Sequence, residues 1–393
     1  MKKMIISKLK KEKKDYGCEL VSTIFRDDKT PFELRFEYNI ENMELIDDFY
    51  ADSFLVSLLP YAMEFGYDIQ VSNPISKELF NNLEEEYIPC LAKYNKNFKK
   101  IDIKYSDIVE KKIYNNTAIA TGCSYGVDSL HAIYTNLMNK SNEKLTHLVV
   151  VNSGACSWKG GEESKKWFEI EIERAKKGAM ELNLKLIYVN TNLMEFYEVN
   201  HEHSGFMRIS GIVLGLDNII GRYYYASSYE ISKFNVSAND DGYYLYMITK
   251  NLSDSNLKFL ISGLYEDRYD KVKLIKNYEI AHKYLNVCWN GGNNCGRCEK
   301  CLRTIGSLYA LDALDAFTDV LNTKWFERHK IIGIGRMISF SYVHKEMYTF
   351  LPDIKKKHHI SYMCAQIYCY VYYNPKRLIR GLIRKLYYII KKK

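Results

Sequence analysis

Proline is scarce in this chain, and acidic residues are missing from its last forty positions. Six prolines occur among 393 residues, and no linker rich in glycine, serine and proline interrupts the sequence. Because a chain of this length usually forms more than one hydrophobic core, we expect two or three units that pack together. The stretch from Ile354 to Lys393 holds eleven Lys and Arg residues and no Asp or Glu. The formal net charge of +8 is therefore a property of this tail.

Long apolar segments are also absent. No run approaches the roughly 20 apolar residues that span a bilayer, and the lysine-rich stretch from Met1 to Lys14 lacks the apolar run of a signal peptide. We therefore expect the protein in the cytoplasm. The motif G-x-x-x-x-G-K-[ST] does not occur either, which argues against transfer of a γ-phosphate by an enzyme of the P-loop type.

Strand-like and helix-like segments alternate from residue 116. The strand-like ones, such as "LTHLVVVNSG" and "LKLIYVNTN", are almost continuously apolar, which is typical of parallel strands that are buried on both faces. The pattern predicts an α/β fold with a doubly wound parallel sheet in residues 116–316. Residues 1–115 are interpreted as an α+β domain without a catalytic constellation, and residues 317–393 as a basic, mostly helical C-terminal extension.

A tight turn lies where the first strand of this sheet gives way to a helix. It consists of Ser124, Tyr125, Gly126, Val127, Asp128 and Ser129. Ligands of doubly wound sheets bind at the carboxyl ends of the strands, and the free N–H groups and positive dipole end of a helix start suit a phosphate. Ser124 and Ser129 can donate hydrogen bonds to phosphate oxygens, and Asp128 can fix the loop or hold Mg²⁺ through water.

This turn resembles the Ser-Gly-Gly-x-Asp-Ser loop of the ATP pyrophosphatase, or PP-loop, superfamily. The sequence departs from that pattern at Tyr125, which stands where the superfamily has glycine. A side chain at this position requires ordinary backbone angles or else carries strain. The resemblance implies that the loop binds the phosphates of ATP and that Asp128 and Ser129 are catalytic.

Four of the ten cysteines lie within fourteen residues. They are Cys288, Cys295, Cys298 and Cys301. Clustered cysteines in a large cytosolic chain indicate a metal site rather than disulfides, and four thiolates complete the tetrahedral shell of a structural zinc ion. An iron–sulfur cluster is the alternative, because C-x2-C-x2-C also opens a bacterial ferredoxin motif. Zinc is favoured because that motif continues with a cysteine where this chain has Ile305.

The segment "CWNGGNNCGRCEKCLRT" resembles the zinc segment of the 7-cyano-7-deazaguanine synthase family. That family joins a PP-loop to a late cysteine quartet, and the four cysteines and Arg303 match its pattern within a resemblance that covers residues 116–316. The resemblance implies ATP, Mg²⁺ and Zn²⁺ as ligands of an AMP-forming ligase. Such an enzyme adenylates a carboxylate or carbonyl group of a small molecule, releases pyrophosphate and lets a nitrogen nucleophile attack. The family's substrate-binding segment has no clear match, so the substrate can differ.

Other polar residues of the predicted core have weaker claims to a function. Asn152 and Ser153 end a predicted strand, where PP-loop proteins contact adenine. Arg208 and Arg268 could bind phosphate or carboxylate as bidentate donors, although both also fit structural roles. The lysines after Arg268 and the histidines that flank Glu202 are interpreted first as solvated or structural groups: Lys271, Lys273, His201 and His203.

The basic tail and the scattered cysteines leave several alternatives open. The tail could lie on an anionic membrane surface as a peripheral attachment, hold the phosphates of tRNA or pack on the core. A tRNA-modifying sulfur transferase would need a reactive thiol, for which Cys123 and Cys156 are the candidates. An amidotransferase of surface polysaccharide biosynthesis and a non-enzymatic zinc-binding module are further alternatives, and a homodimer is compatible with the sequence.

Overall fold

The computed structural model describes residues 2–114, 116–138, 143–154, 160–197, 203–288, 292–376 and 378–379. The chain forms two compact units. The first contains Met1–Ser124 and Ala132–Tyr265, and the second contains Tyr125–His131 and Glu266–Lys393. The strands lie in the first unit, whereas the described part of the second unit consists of helices and connecting segments.

The first unit is organised around a mixed sheet of eleven strands. In chain order the strands are β1 (Lys2–Ile6), β2 (Lys10–Lys14), β3 (Gly17–Arg26), β4 (Lys29–Tyr38), β5 (Tyr67–Val71), β6 (Ile75–Ser76), β7 (Ile103–Lys104), β8 (Ile108–Val109), β9 (Ala118–Gly122), β10 (His147–Val151), β11 (Lys185–Thr191), β12 (Ile220–Ala226) and β13 (Lys258–Ser262). The large sheet has the order β13-β12-β9-β10-β11-β4-β3-β1-β5-β7, with β2 paired to β3, and β6 and β8 form a separate pair.

Helices connect these strands and continue beyond them. They are α1 (Asp52–Phe65), α2 (Lys77–Asn82), α3 (Ile88–Tyr94), α4 (Val127–Leu137), α5 (Gly161–Glu181), α6 (Leu193–Phe196), α7 (Gly205–Leu214), α8 (Leu245–Leu252), α9 (Arg268–Ile275), α10 (Glu279–Tyr284), α11 (Glu299–Ala310), α12 (Lys324–Arg328), α13 (Lys330–Ser341), α14 (Leu351–Lys357) and α15 (His359–Tyr368). A π-helical turn, Cys369–Tyr373, follows α15. Within the residues that the structure describes, no helix is both long and apolar enough to cross a membrane.

Strands β9 to β13 form the parallel part of the sheet. From β9 the chain adds β10 and β11 on one side and then β12 and β13 on the other, which is the strand order of a doubly wound α/β fold. The order and direction of these five strands therefore confirm the predicted doubly wound parallel sheet. The order reverses between β9 and β12, and such a switch point opens a crevice at the carboxyl ends of the strands where ligands bind.

Strand β4 continues the same sheet in the antiparallel direction. It pairs with β11 in a register that places Tyr38 opposite Val189 and Phe36 opposite Thr191. This pairing satisfies backbone groups of β11 that would otherwise form a sheet edge. Residues 1–115 therefore share a sheet with the predicted core, so the expected boundary at residue 115 does not separate compact units, and the expected boundary at residue 316 falls inside the second unit.

A buried lysine ties distant segments of the first unit together. The Nζ atom of Lys111 lies 3.2 Å from Asp52, 2.5 Å from Asp217 and 2.9 Å from Asp254, and the four side chains are at most 6% exposed. Burial acts to lower the pKa of Lys111, but the effect of the three carboxylates is larger, and the pKa is raised. Because the carboxylates outnumber the lysine, its charge is essential to their burial.

We expect the substitution Lys111→Met to lower the free energy of unfolding by about 3–5 kcal/mol, because it leaves buried carboxylates without their counter-charge. Lys77→Met is the matched control, since Lys77 pairs with Glu110 at 2.7 Å on the exposed surface of the same unit and should change stability by less than about 1 kcal/mol. Urea denaturation measures both values. Equal effects of the two substitutions would contradict the role given to Lys111.

The same cluster predicts a dependence of stability on pH. Burial, together with the charge of Asp254, raises the pKa of Asp217 from 3.8 to about 7. The folded protein therefore keeps a proton that the unfolded chain releases, and its stability falls as pH rises from about 4 to about 7. The variant Asp217→Asn lacks this proton equilibrium. Thermal denaturation across this range should show a falling stability of the wild type relative to the variant, and parallel curves would contradict the assignment.

Candidate functional site

The predicted phosphate loop follows β9, and its second residue, Tyr125, has an unusual backbone conformation. Tyr125 has a φ of +51°, in the left-handed region that glycine adopts without strain and that a bulky residue rarely occupies. Its side chain is buried and stacks on Tyr284 with ring centroids 5.3 Å apart. Its carbonyl accepts a hydrogen bond from the backbone N–H of Asn286 at 2.9 Å. These contacts hold a conformation of the kind that clusters at functional sites.

Asp128 stands in the first turn of α4, directly after the loop. One carboxylate oxygen lies 2.5 Å from the Arg268 guanidinium, and the other lies 3.5 Å from the Lys271 ammonium. Burial acts to raise the pKa of this carboxyl, but the neighbouring cations, chiefly Arg268 and Lys271, outweigh it and lower the pKa. Asp128 is therefore ionised, and its charge is directed at these cations.

Two helices of the second unit supply the cations around Asp128, which we call the cationic cluster: Arg268, Lys271, Lys300 and Arg303. Arg268 and Lys271 are three residues apart on α9, and Lys300 and Arg303 are three residues apart on α11. This spacing places each pair on one helix face. The Lys271 side chain has no exposed surface, and Arg303 is 8% exposed.

The charges of the cationic cluster repel one another. Burial lowers the pKa of Lys271, of Lys300 and of Arg303, and the positive charge of Arg268 lowers each further. For Arg303 the pKa falls to about 10. An anion that entered the cluster would relieve this repulsion, because it would favour the charged form of each group.

Both arginines of the cluster, Arg268 and Arg303, also have a hydrogen-bond donor that the described part of the chain leaves unused. The Nε atoms of Arg268 and Arg303 are buried and have no hydrogen-bond partner among the described residues. A buried donor on a charged group is costly when it stays unpaired. Guanidinium groups match the oxygens of phosphates and carboxylates with paired donors. The arrangement therefore suits an anion with several oxygens.

The structure distinguishes the lysines of α9 that the sequence treated alike. Lys273 is exposed and pairs with Asp270 at 2.8 Å one turn earlier in the same helix, as expected of a solvated group. Lys271 and Arg268 instead point into the cationic cluster. The sequence left a solvated or a structural charge open for Lys271, and the structure shows it in an ion pair with Asp128. Arg268, expected as a donor to phosphate or carboxylate or as a structural group, pairs with the same carboxylate. Lys300 was missed, although its spacing from Arg303 was a usable signal.

The four cysteines of the predicted metal site come together as expected. All four Sγ atoms lie within 4.8 Å of one another. The distance from Cys288 to Cys298 is 3.9 Å and that from Cys295 to Cys301 is 4.0 Å. Tetrahedral zinc with bonds of about 2.3 Å requires sulfur atoms about 3.8 Å apart. The quartet could therefore bind a metal ion such as zinc.

The residues around the quartet fix its shape. Gly296 has a φ of +69°, and a Cβ atom there would lie 1.9 Å from the carbonyl oxygen of Asn322, so only glycine fits. Backbone N–H groups of residues 297 and 298 donate to the sulfur of Cys295 at 3.5 and 3.3 Å, an arrangement that favours a thiolate. The buried amide of Asn294 donates to the carbonyls of Leu285 and Val320 and braces the segment.

Helix α11 joins the quartet to the cationic cluster. It begins after Cys298, whose sulfur accepts a hydrogen bond from the N–H of Cys301 at 3.5 Å and so caps the helix. The same first turns carry Lys300 and Arg303. A metal ion that holds the two cysteines thus also fixes the start of the helix from which both cations project.

The remaining candidates lie in the first unit and have structural contacts. Asn152 donates to Asn190 at 2.8 Å and accepts from Ser164 at 2.7 Å, and the carbonyl of Ser153 accepts from the fully buried Arg208 at 3.2 Å. His203 lies 3.6 Å from Glu64. Cys123 is buried. His201 and Cys156 lie outside the described residues.

Comparisons of this chain with protein-family models, with curated proteins and with solved structures yield no match. The interpretation of the site therefore depends on its geometry and on the motifs of the sequence.

We expect the substitution Cys295→Ser to abolish stoichiometric metal binding, because three thiolates cannot close a structural tetrahedral site. Cys364→Ser, at an exposed cysteine outside the quartet, is the control and should retain about one zinc ion per chain. Elemental analysis of the purified proteins measures the metal. Iron and sulfide in place of zinc would show an iron–sulfur cluster, and equal metal content in both variants would contradict the site.

Proposed function

We propose that this chain is an ATP-using enzyme that cleaves ATP between its α and β phosphates, and that the cationic cluster binds the pyrophosphate part. The observation that carries the proposal is the set of four cations around Asp128, at the start of the helix that follows the loop: Lys271 and Arg303 are buried, and Arg268 and Lys300 are partly buried. A pyrophosphate group has the charge and the number of oxygens that such a cluster requires.

Residues of the cluster would have different tasks. Arg303, with an unpartnered buried Nε among the described residues, is suited to direct contact with a phosphate oxygen. Asp128 ion-pairs with Arg268 and Lys271, so we assign it the task of positioning these two cations. The N–H groups at the start of α4 would add donors. Mg²⁺, when bound to the nucleotide, would neutralise part of the phosphate charge.

The proposed reaction is the adenylation that the motif resemblance implies. An oxygen of a substrate carboxylate attacks the α-phosphorus, the bond to the bridging oxygen of the β-phosphate breaks, and pyrophosphate leaves with the electron pair. The cationic cluster stabilises the charge that develops on this leaving group. A nitrogen nucleophile then attacks the carbonyl carbon of the acyl-adenylate, loses a proton and displaces AMP.

Zinc is the metal that we propose for the cysteine quartet. Four sulfur ligands leave no open position for a substrate, so the ion would have a structural role. By fixing the first turn of α11, it would keep Lys300 and Arg303 in place. The alternative of a sulfur transferase gains no support from Cys123, because this thiol is only 6% exposed.

We expect Lys271→Met to lower AMP formation by about 100-fold or more, because it removes a cation that stabilises the leaving pyrophosphate. Lys273→Met is the matched control on the exposed face of the same helix and should retain activity. The assay follows α-labelled ATP with purified protein and an extract of small cell metabolites, and circular dichroism shows that both variants are folded.

Three results would overturn the proposal. The first is equal AMP formation by folded Lys271→Met and wild-type protein. The second is ADP as the nucleotide product, which would indicate transfer of the γ-phosphate. The third is failure of the wild-type protein to bind ATP, which would leave a zinc-binding module without nucleotide chemistry.

A further inference from the structure

Helix α15 of the second unit has one packed face and one bare face. On the packed face, Ala365 and Cys369 are fully buried, and the helix lies against α13. The opposite face carries Ile360, Met363 and Ile367, and Val371 in the next turn continues it. Their side chains are 79%, 48%, 62% and 73% exposed.

The spacing of these exposed residues makes them a continuous stripe. Positions i, i+3, i+7 and i+11 fall on one side of a helix. We call this set, Ile360, Met363, Ile367 and Val371, the apolar stripe. Single exposed apolar residues are common on protein surfaces, but a contiguous row of large ones marks an interaction site.

Lysines flank the apolar stripe along the chain. Lys355, Lys356 and Lys357 end α14 just before it, where Lys357 pairs with Asp312, and Lys376 follows it. The sequence then continues to Lys393 with seven more Lys and Arg residues, and no Asp or Glu occurs after Asp353. A partner must therefore offer both an apolar interior and negative charge.

An anionic lipid bilayer meets both requirements. Its acyl region accepts aliphatic side chains, and its headgroups attract lysines that flank an amphipathic helix. A nucleic acid would use the lysines but has no place for four aliphatic side chains. A second copy of the chain would bring like charges together around the stripe, which disfavours self-association.

We propose that the apolar stripe and its flanking lysines dock the second unit on an anionic membrane surface. The helix lies in the plane of the interface with the stripe facing the acyl chains. This inference is independent of the proposed nucleotide chemistry, since none of its residues belongs to the cationic cluster.

Vesicle flotation of the full chain tests the proposal. The wild type should float with vesicles of phosphatidylcholine and phosphatidylglycerol, bind vesicles of phosphatidylcholine alone much more weakly, and dissociate as salt rises. The double variant Ile360→Glu, Ile367→Glu should lose at least about tenfold in vesicle affinity, because it removes two exposed aliphatic side chains that the bilayer would bury.

The matched control places the same charges at exposed apolar positions of the first unit. Ile113 and Met180 are 75% and 78% exposed, and the variant Ile113→Glu, Met180→Glu should bind vesicles like the wild type. Equal affinity of the stripe variant and the wild type would overturn the proposal. So would binding to tRNA without binding to vesicles, or a dimer that the stripe variant turns into a monomer without any vesicle binding.

Discussion

The ionised carboxylate of Asp128 holds the candidate site together. It forms ion pairs with both Arg268 and the fully buried Lys271, and the positive charge of Arg303 also acts on it. One carboxylate offsets part of the repulsion among these cations but leaves guanidinium donors of Arg268 and Arg303 without partners among the described residues. We infer that this balance would favour an incoming anion.

The cysteine quartet and the cationic cluster depend on the same helix. Cys298 caps α11 and Cys301 lies in its first turn, next to Lys300 and before Arg303. A metal ion bound there would fix the direction of the helix start, and the i, i+3 spacing would then direct both cations to one side. This connection would give a physical reason for a closed metal site close in sequence to the proposed anion site.

Local patterns in the sequence were sufficient to predict the parallel strands, the turn after β9 and the grouping of the four cysteines, because the pattern of each lies in residues that are close together in the chain. The lysine-rich strand β2 escaped prediction, since lysine is a poor strand former that nevertheless suits exposed strands. Strand β1, which pairs with β3 on one side and β5 on the other, also escaped prediction. The sequence could not separate Lys271 from Lys273, because burial of a lysine depends on a carboxylate 143 residues away, Asp128. The pairing of β4 with β11, which merges residues 1–115 into the main sheet, is equally non-local.

Calorimetric titration of the zinc-loaded protein with pyrophosphate tests the central claim most directly, because it measures the anion site without requiring the unknown substrate. The account predicts binding of one pyrophosphate per chain that weakens by roughly tenfold or more in Arg303→Met, which loses a charged donor, and much weaker binding of AMP alone. No binding of pyrophosphate to the wild type, or equal affinity in Arg303→Met, would contradict the assignment of the cationic cluster as the pyrophosphate site.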